Sequence, residues 1–251
     1  MDYEKGKLAM TQPATVLITG ANKGIGYETA RQLGALGHRI LIGSRDEERG
    51  SQAAAALARE GVDARFIRLD LQDQNSITAA AETIAEEYSG LDILINNAGI
   101  SLGGGAAPSQ LSMDDIRTTF DTNFFGTITV TQAMLPLLLQ SPAPRIVNMS
   151  SGLGSLAYNS DPGHEFARFN LLAYNSSKAA VNMATISFAK EFKDTPLKIN
   201  SGNPGFTATD LNGFTGQRSV EQGAGIAVRL ATLDADGPTG GFFDENGEVP
   251  W

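Results

Sequence analysis

Tyr174 and Lys178 stand four residues apart within Ala173 to Phe192, a stretch with a helical pattern, so that phenol and ammonium share one helix face. A free phenol has a pKa of about 10 and moves protons poorly near neutrality; a cation beside it stabilises phenolate and lowers that value. The pair is therefore a candidate proton donor and acceptor, although the same spacing also occurs as plain helix surface. Metal chemistry finds no support in the sequence. Cysteine is absent and the two histidines, His38 and His164, are far apart without helical pairing, so no zinc site is expected.

A second chemical feature lies near the start of the chain. Thr19-Gly20-Ala21-Asn22-Lys23-Gly24-Ile25-Gly26 follows the apolar run Val16-Leu17-Ile18 and opens a helical pattern. Glycines here let the backbone turn tightly and approach a pyrophosphate, whose charge is met by N–H groups at a helix N-terminus. A tight strand-to-helix turn uses glycine for its own sake too, so the triplet gains weight only from its surroundings. At the end of the second apolar run, Leu41-Ile42-Gly43-Ser44-Arg45-Asp46, a site selective for NAD would carry an acid for the ribose 2′-hydroxyl. Ser44 and Arg45 stand there instead, with Lys23 in the glycine turn. Two cations and a hydroxyl suit a 2′-phosphate. The expected cofactor is NADPH/NADP+, with Asp46 read as the N-cap or first-turn acid of the next helix.

These groups need a frame to hold them. Short apolar runs recur at Val16–Ile18, Ile40–Ile42, Phe66–Leu69, Ile93–Ile95, Ile146–Val147 and Leu197–Ile199; continuous rather than alternating, they read as strands buried on both faces. Helical patterns lie between them, at Ile25–Leu36, Glu47–Arg59, Ser76–Tyr88, Ile116–Leu139, Ala173–Phe192 and Val220–Leu233. Parallel strands need crossover helices, so this alternation predicts an α/β fold with a doubly wound parallel sheet. No linker divides the chain, which predicts one domain over 13–251 preceded by a flexible extension or tag at 1–12, with Met10 an alternative start. Gly241-Phe242-Phe243 is a candidate for one more short strand.

With Thr19, Gly20, Gly24 and Gly26 in place, the chain resembles the short-chain dehydrogenase/reductase family, whose signature is Thr-Gly-x-x-x-Gly-x-Gly. The resemblance runs from about residue 14 to the C-terminus and implies a Rossmann-type fold and hydride exchange between nicotinamide and a ketone, aldehyde or alcohol. It implies cofactor contacts from Gly20, Asn22, Lys23, Gly24, Ile25, Gly26, Ser44 and Arg45. Asp70-Leu71 corresponds to the pair beside the adenine, and Asn96-Asn97-Ala98-Gly99 to the motif that steadies the sheet beside the cofactor. Asn148-Met149-Ser150-Ser151-Gly152 matches the strand-end Asn-x-Ser-Ser, with Ser151, rather than Ser150, as the catalytic hydroxyl. Tyr174-x-x-x-Lys178 supplies the proton donor and a lysine that also holds the nicotinamide ribose. Asn123 matches the helix asparagine that holds a water near the lysine. Pro204-Gly205, with Thr207 or Thr209, resembles the segment that contacts the nicotinamide.

Ser151 and Tyr174 are 23 positions apart, further than is common in the family, and the extra segment, within 155–172, is expected to border the substrate pocket. Together with the ending Glu248-Val249-Pro250-Trp251, this is similar to the carbonyl-reductase branch, some members of which are monomers; monomer and homo-oligomer both stay open here. A net charge of −9 argues against a nucleic-acid partner, which needs clustered Lys and Arg. No apolar stretch approaches the roughly 18 residues of a membrane span, and Met1-Asp2-Tyr3-Glu4-Lys5 lacks a signal-peptide core. The expected location is the cytoplasm and the expected partner a small molecule. Other readings remain: an NAD-dependent alcohol dehydrogenase of the same family; a catalytically silent nucleotide sensor, against which intact Ser151, Tyr174 and Lys178 argue; and, as a lesser one, a metabolite-repair epimerase or a double-bond reductase.

Overall fold

The computed structural model describes residues 13–88 and 90–251; the expected extension at 1–12 lies outside them. Eight strands form one sheet in the order β3-β2-β1-β4-β5-β6-β7-β8. These are β1 (Thr15–Thr19), β2 (Arg39–Ser44), β3 (Ala64–Arg68), β4 (Ile93–Asn96), β5 (Arg145–Met149), β6 (Lys198–Gly202), β7 (Phe242–Asp244) and β8 (Gly247–Glu248). Every pairing from β3 through to β7 is parallel, and only β8 folds back antiparallel on β7.

Helices cover both faces, which is why the central strands carry unbroken apolar runs. Ile18, Ile42, Ile95 and Val147 meet α1 (Gly24–Ala35), α2 (Glu47–Arg59) and α8 (Val220–Ala231) on one side. Leu17, Leu41, Leu94, Ile146 and Ile199 meet α3 (Gln74–Tyr88) and the apolar side of a longer helical segment on the other. That segment, expected as one helix over Ile116–Leu139, is three pieces: α4 (Met113–Phe120), a π-helical turn (Asp121–Gly126) and α5 (Thr127–Leu138). Buried Asn123 lies in the π turn, where a widened hydrogen-bond ladder re-aims a side chain that an α-helix would send elsewhere.

The segment between Ser151 and Tyr174 contains structure that its sequence pattern did not announce: α6 (Leu156–Ser160) and a 3-10 turn (Glu165–Arg168) before α7 (Leu172–Glu191). Strand order reverses between β1 and β4. In an open parallel sheet, ligands bind in the crevice beyond the strand C-termini at such a reversal, which is where the glycine turn and Asn97-Ala98-Gly99 emerge.

Candidate active site

The glycine turn is built around contacts that admit no side chain. Gly20 has φ +64°, and a Cβ on it would sit 3.0 Å from Ala98 Cα; a Cβ on Gly26 would sit 2.4 Å from Asn97 Nδ2 and 2.7 Å from the Gly20 carbonyl. Asn97 Nδ2 donates to the Thr19 carbonyl (2.9 Å), and the Asn97 and Ala98 amides both donate to Thr19 Oγ1 (3.0 Å each). The β4 loop thereby clamps the turn after β1. α1 begins at this clamp with Lys23 as an N-cap that offers no side-chain acceptor and with no acid in its first turn, so its leading N–H groups keep their affinity for an anion. That donor set and the glycine cradle fit a dinucleotide phosphate.

A cleft of about 1110 Å³ runs across this point. Gly20, Asn22, Lys23, Gly24 and Ile25 form one wall and Ser44, Arg45, Asp70 and Leu71 another, with Asn97, Ala98 and Gly99 at the base. The Ser44 hydroxyl is buried and donates to the Asp46 carbonyl at 3.0 Å. Asp46 caps α2, accepting from the Arg49 amide at 2.9 Å. Arg45 is exposed and makes no ion pair among the described residues, whereas Lys23 pairs with Asp210 across the cleft. Arg49, on the same wall as Arg45, was missed in the sequence because a lone arginine in a first helical turn reads as solvated surface.

The loop after β6 divides its expected residues. Thr209 lines the cleft, its Cγ2 3.6 Å from where a Gly24 Cβ would stand. Thr207 is buried, and its hydroxyl donates to the Pro204 carbonyl at 3.0 Å; Pro204 and Gly205 border a separate hollow of about 290 Å³ beside Arg218. Between the two threonines, then, Thr209 is the one at the cleft.

Tyr174, Lys178, Ser151 and Asn123 lie beyond the inner end of the cleft rather than on its walls. Gly99 joins the two regions: a Cβ there would be 3.4 Å from both Lys178 Nζ and Asn123 Oδ1. Lys178 is buried, donates to the Met149 carbonyl at 2.8 Å and lies 5.6 Å from the centre of the Tyr174 ring. Burial lowers its pKa to about 8. Tyr174 is half-buried as a residue, but desolvation pushes its phenol up to about 12, with a hydrogen bond to Ser151 acting the other way. The spacing led us to expect a lowered phenol. Desolvation of the hydroxyl outweighs any help from Lys178, which is itself desolvated and gives its hydrogen bond to Met149.

Ser151 caps the 3-10 turn Gly152–Gly154, its Oγ accepting from the Leu153 amide at 3.2 Å. Ser150 is buried with its hydroxyl 3.4 Å from the Lys178 carbonyl, which leaves Ser151 as the serine beside the phenol. Asn123 accepts from the Ile100 amide (2.8 Å) and donates to the Ile100 carbonyl (2.8 Å) and to Ser177 Oγ (3.0 Å). It cross-links the β4 loop to α7. Ser177, between Tyr174 and Lys178, escaped sequence reading because a serine in a helix carries no signal.

A glycine-lined cleft with a serine, a phenol and an ammonium grouped beyond one end has known counterparts. Residues 14–219 match the family model for short chain dehydrogenases. The chain belongs to that family. It lies in the carbonyl-reductase-like branch of these short chain dehydrogenases. A short-chain dehydrogenase of Penicillium roqueforti (strain FM164) is 38% identical, over 89% of this chain and 90% of that one. Carbonyl reductase [NADPH] 1 of Mus musculus is 32% identical over 94% and 97%. Among solved structures, an NADPH-bound carbonyl reductase from chicken fatty liver superposes with a TM-score of 0.83 at 28% identity, covering 96% of this chain and 100% of that one. As a short chain dehydrogenase the chain is an oxidoreductase. Among the described residues, no cluster of His, Cys, Asp or Glu can hold a metal ion and no helix is long and apolar enough to cross a membrane.

Proposed function

We propose that this short chain dehydrogenase is an NADPH-dependent carbonyl reductase, converting a ketone or aldehyde to an alcohol in the cytoplasm with Tyr174 as the proton donor. The observation that carries the reading is that Tyr174, hydrogen-bonded to Ser151 and with its ring 5.6 Å from Lys178 Nζ, is joined through Lys178 and Gly99 to a cleft that the exposed Arg45 also lines. The domain is taken as 13–251.

When bound, the nicotinamide supplies the hydride. Ser151 Oγ hydrogen-bonds the substrate oxygen and orients it towards the Tyr174 phenol. The phenol, pushed up to about 12, keeps its proton at neutral pH, which suits a donor to an oxygen gaining negative charge. Lys178 stands by the phenol ring and, while protonated, favours the phenolate left behind. A water between Lys178 Nζ and Asn123 Oδ1 can accept from the one and donate to the other, since each leaves hydrogen-bonding capacity unused. Arg45, with Arg49 beside it and Lys23 exchanging Asp210 for the ligand, meets the 2′-phosphate, while Asp70 and Leu71 flank the adenine and Thr209 reaches the carboxamide. Following NADPH oxidation against a panel of ketones, aldehydes, quinones and diketones tests the assignment: at least one class is turned over, and consumption by none of them would reject it.

A further inference from the structure

We infer that Phe166, in the inserted segment, is a positioning residue for Ser151; this rests on the catalytic reading of Ser151 proposed above. The segment does not merely loop over the surface. A Cβ built on Gly152, the residue after Ser151, would meet three ring atoms of Phe166 first, at 2.1, 2.8 and 2.9 Å. The ring edge is thus seated against the glycine backbone in space that any larger residue would fill, and Gly152 is buried beneath it. The turn that Ser151 caps is only three residues long, so the hydroxyl, which accepts from the Leu153 amide and meets the Tyr174 phenol, goes where that short backbone goes.

Phe166 is in turn held from behind. Its ring lies 5.1 Å from that of His164 and 5.9 Å from that of Tyr158, while His164 and Tyr158 stack at 3.9 Å. The helix carrying Tyr158 is anchored at its start, where Ser155 Oγ donates to the Pro250 carbonyl (2.6 Å) and the Ala157 amide to the Trp251 carbonyl (2.9 Å). Asn159 Nδ2 donates to the Leu153 carbonyl at 2.9 Å, and its Oδ1 accepts from Asn175, the neighbour of Tyr174, at 3.2 Å. The insertion therefore braces the serine turn and the tyrosine helix against each other, with Phe166 as the contact on Gly152 and Asn159 as the contact on Leu153. A displaced serine costs rate because hydrogen bonding to the reacting oxygen depends on near-ångström placement.

The test is a double-mutant cycle in the full chain, read as kcat, KM, NADPH dissociation constant and melting temperature. Phe166→Ala is expected to lower kcat roughly tenfold with the NADPH dissociation constant within about twofold. In a Ser151→Ala background the same change should cost at most about twofold more, since residues acting as a unit are not additive. Equal losses in both backgrounds would mark a general structural role and overturn the proposal, as would full kcat in Phe166→Ala. Full kcat in Ser151→Ala would remove the catalytic reading and this inference with it, whereas loss there with full kcat in Phe166→Ala removes this inference alone. If Phe166→Ala does not fold, Gly152→Ala probes the same contact from the other side: it should lower kcat, and Gly152→Ala/Phe166→Leu should recover it. No recovery would overturn the proposal.

Discussion

Tyr174 and Lys178 show how far a side chain's chemistry departs from what its spacing suggests. Burial moves the two groups towards neutrality from opposite directions, the phenol up to about 12 and the ammonium down to about 8. On the proposed mechanism the pH dependence of each direction follows. Carbonyl reduction uses the protonated phenol, fully present from pH 6 to 9, so its rate should be flat in pH as far as Tyr174 is concerned. Alcohol oxidation needs phenolate, whose fraction rises as pH climbs towards 12; the rise should slacken above about 8, where Lys178 sheds its proton and the phenolate loses its cationic neighbour. Profiles of kcat/KM in both directions test this, and a reduction rate falling steadily through pH 7 would place the donor elsewhere. Arg45 makes the second residue-scale prediction: Arg45→Asp should shift the kcat/KM ratio from NADPH towards NADH by about tenfold or more, the value of one charged hydrogen bond. An unchanged ratio would give the 2′-phosphate to Lys23 or Arg49. What was legible at this scale was proximity, since the motifs single out Ser151, Tyr174 and Lys178 and the structure brings them together. Electrostatic state was not legible, because desolvation depends on neighbours from β5 and the loop after β4 that spacing along one helix cannot supply.

Among the elements, regular strands and helices were readable where a single pattern ran unbroken, as in β1, β2 and α2. Patterns failed where two requirements met in one segment. The stretch from Met113 to Leu138 keeps its apolar periodicity throughout, yet a π turn interrupts it at Asn123, since three hydrogen bonds to Ile100 and Ser177 outweigh the loss of regular helix. The insertion's helix and β8 were missed because each is too short for a period to show. The junction of β1 and α1 yields a test. Gly26→Ala should force the Asn97 amide and the Gly20 carbonyl apart, at about 1–3 kcal/mol of overpacking, and weaken NADPH binding at least tenfold by calorimetry. Normal binding in a folded Gly26→Ala protein would mean that the clamp between the turn and the β4 loop does not shape the phosphate site.

Across the whole molecule, the chemistry gathers at the strand C-termini while the opposite edge holds a stability determinant. His38 is buried there, with Nδ1 accepting from the Ala14 amide at 3.1 Å and Nε2 without a partner among the described residues. Burial lowers its pKa from the usual value near 6.5, against a smaller upward pull from Asp92. The unfolded chain thus binds the proton more readily than the folded one, so His38 contributes stability above about pH 6.5 that is lost as pH falls through its lowered folded value. Melting temperature should drop on acidification from pH 7.5 to 5.5, and less so in His38→Gln; identical slopes in both proteins would exonerate the histidine. The central claim, though, is that the phenol of Tyr174 moves the proton in the reaction. Single-turnover kinetics of Tyr174→Phe with saturating NADPH tests it most directly. The account predicts a fall of about 10²- to 10⁴-fold in the chemical step, with the melting temperature and NADPH affinity nearly unchanged; a Tyr174→Phe protein retaining more than about a tenth of the normal rate of that step would contradict it.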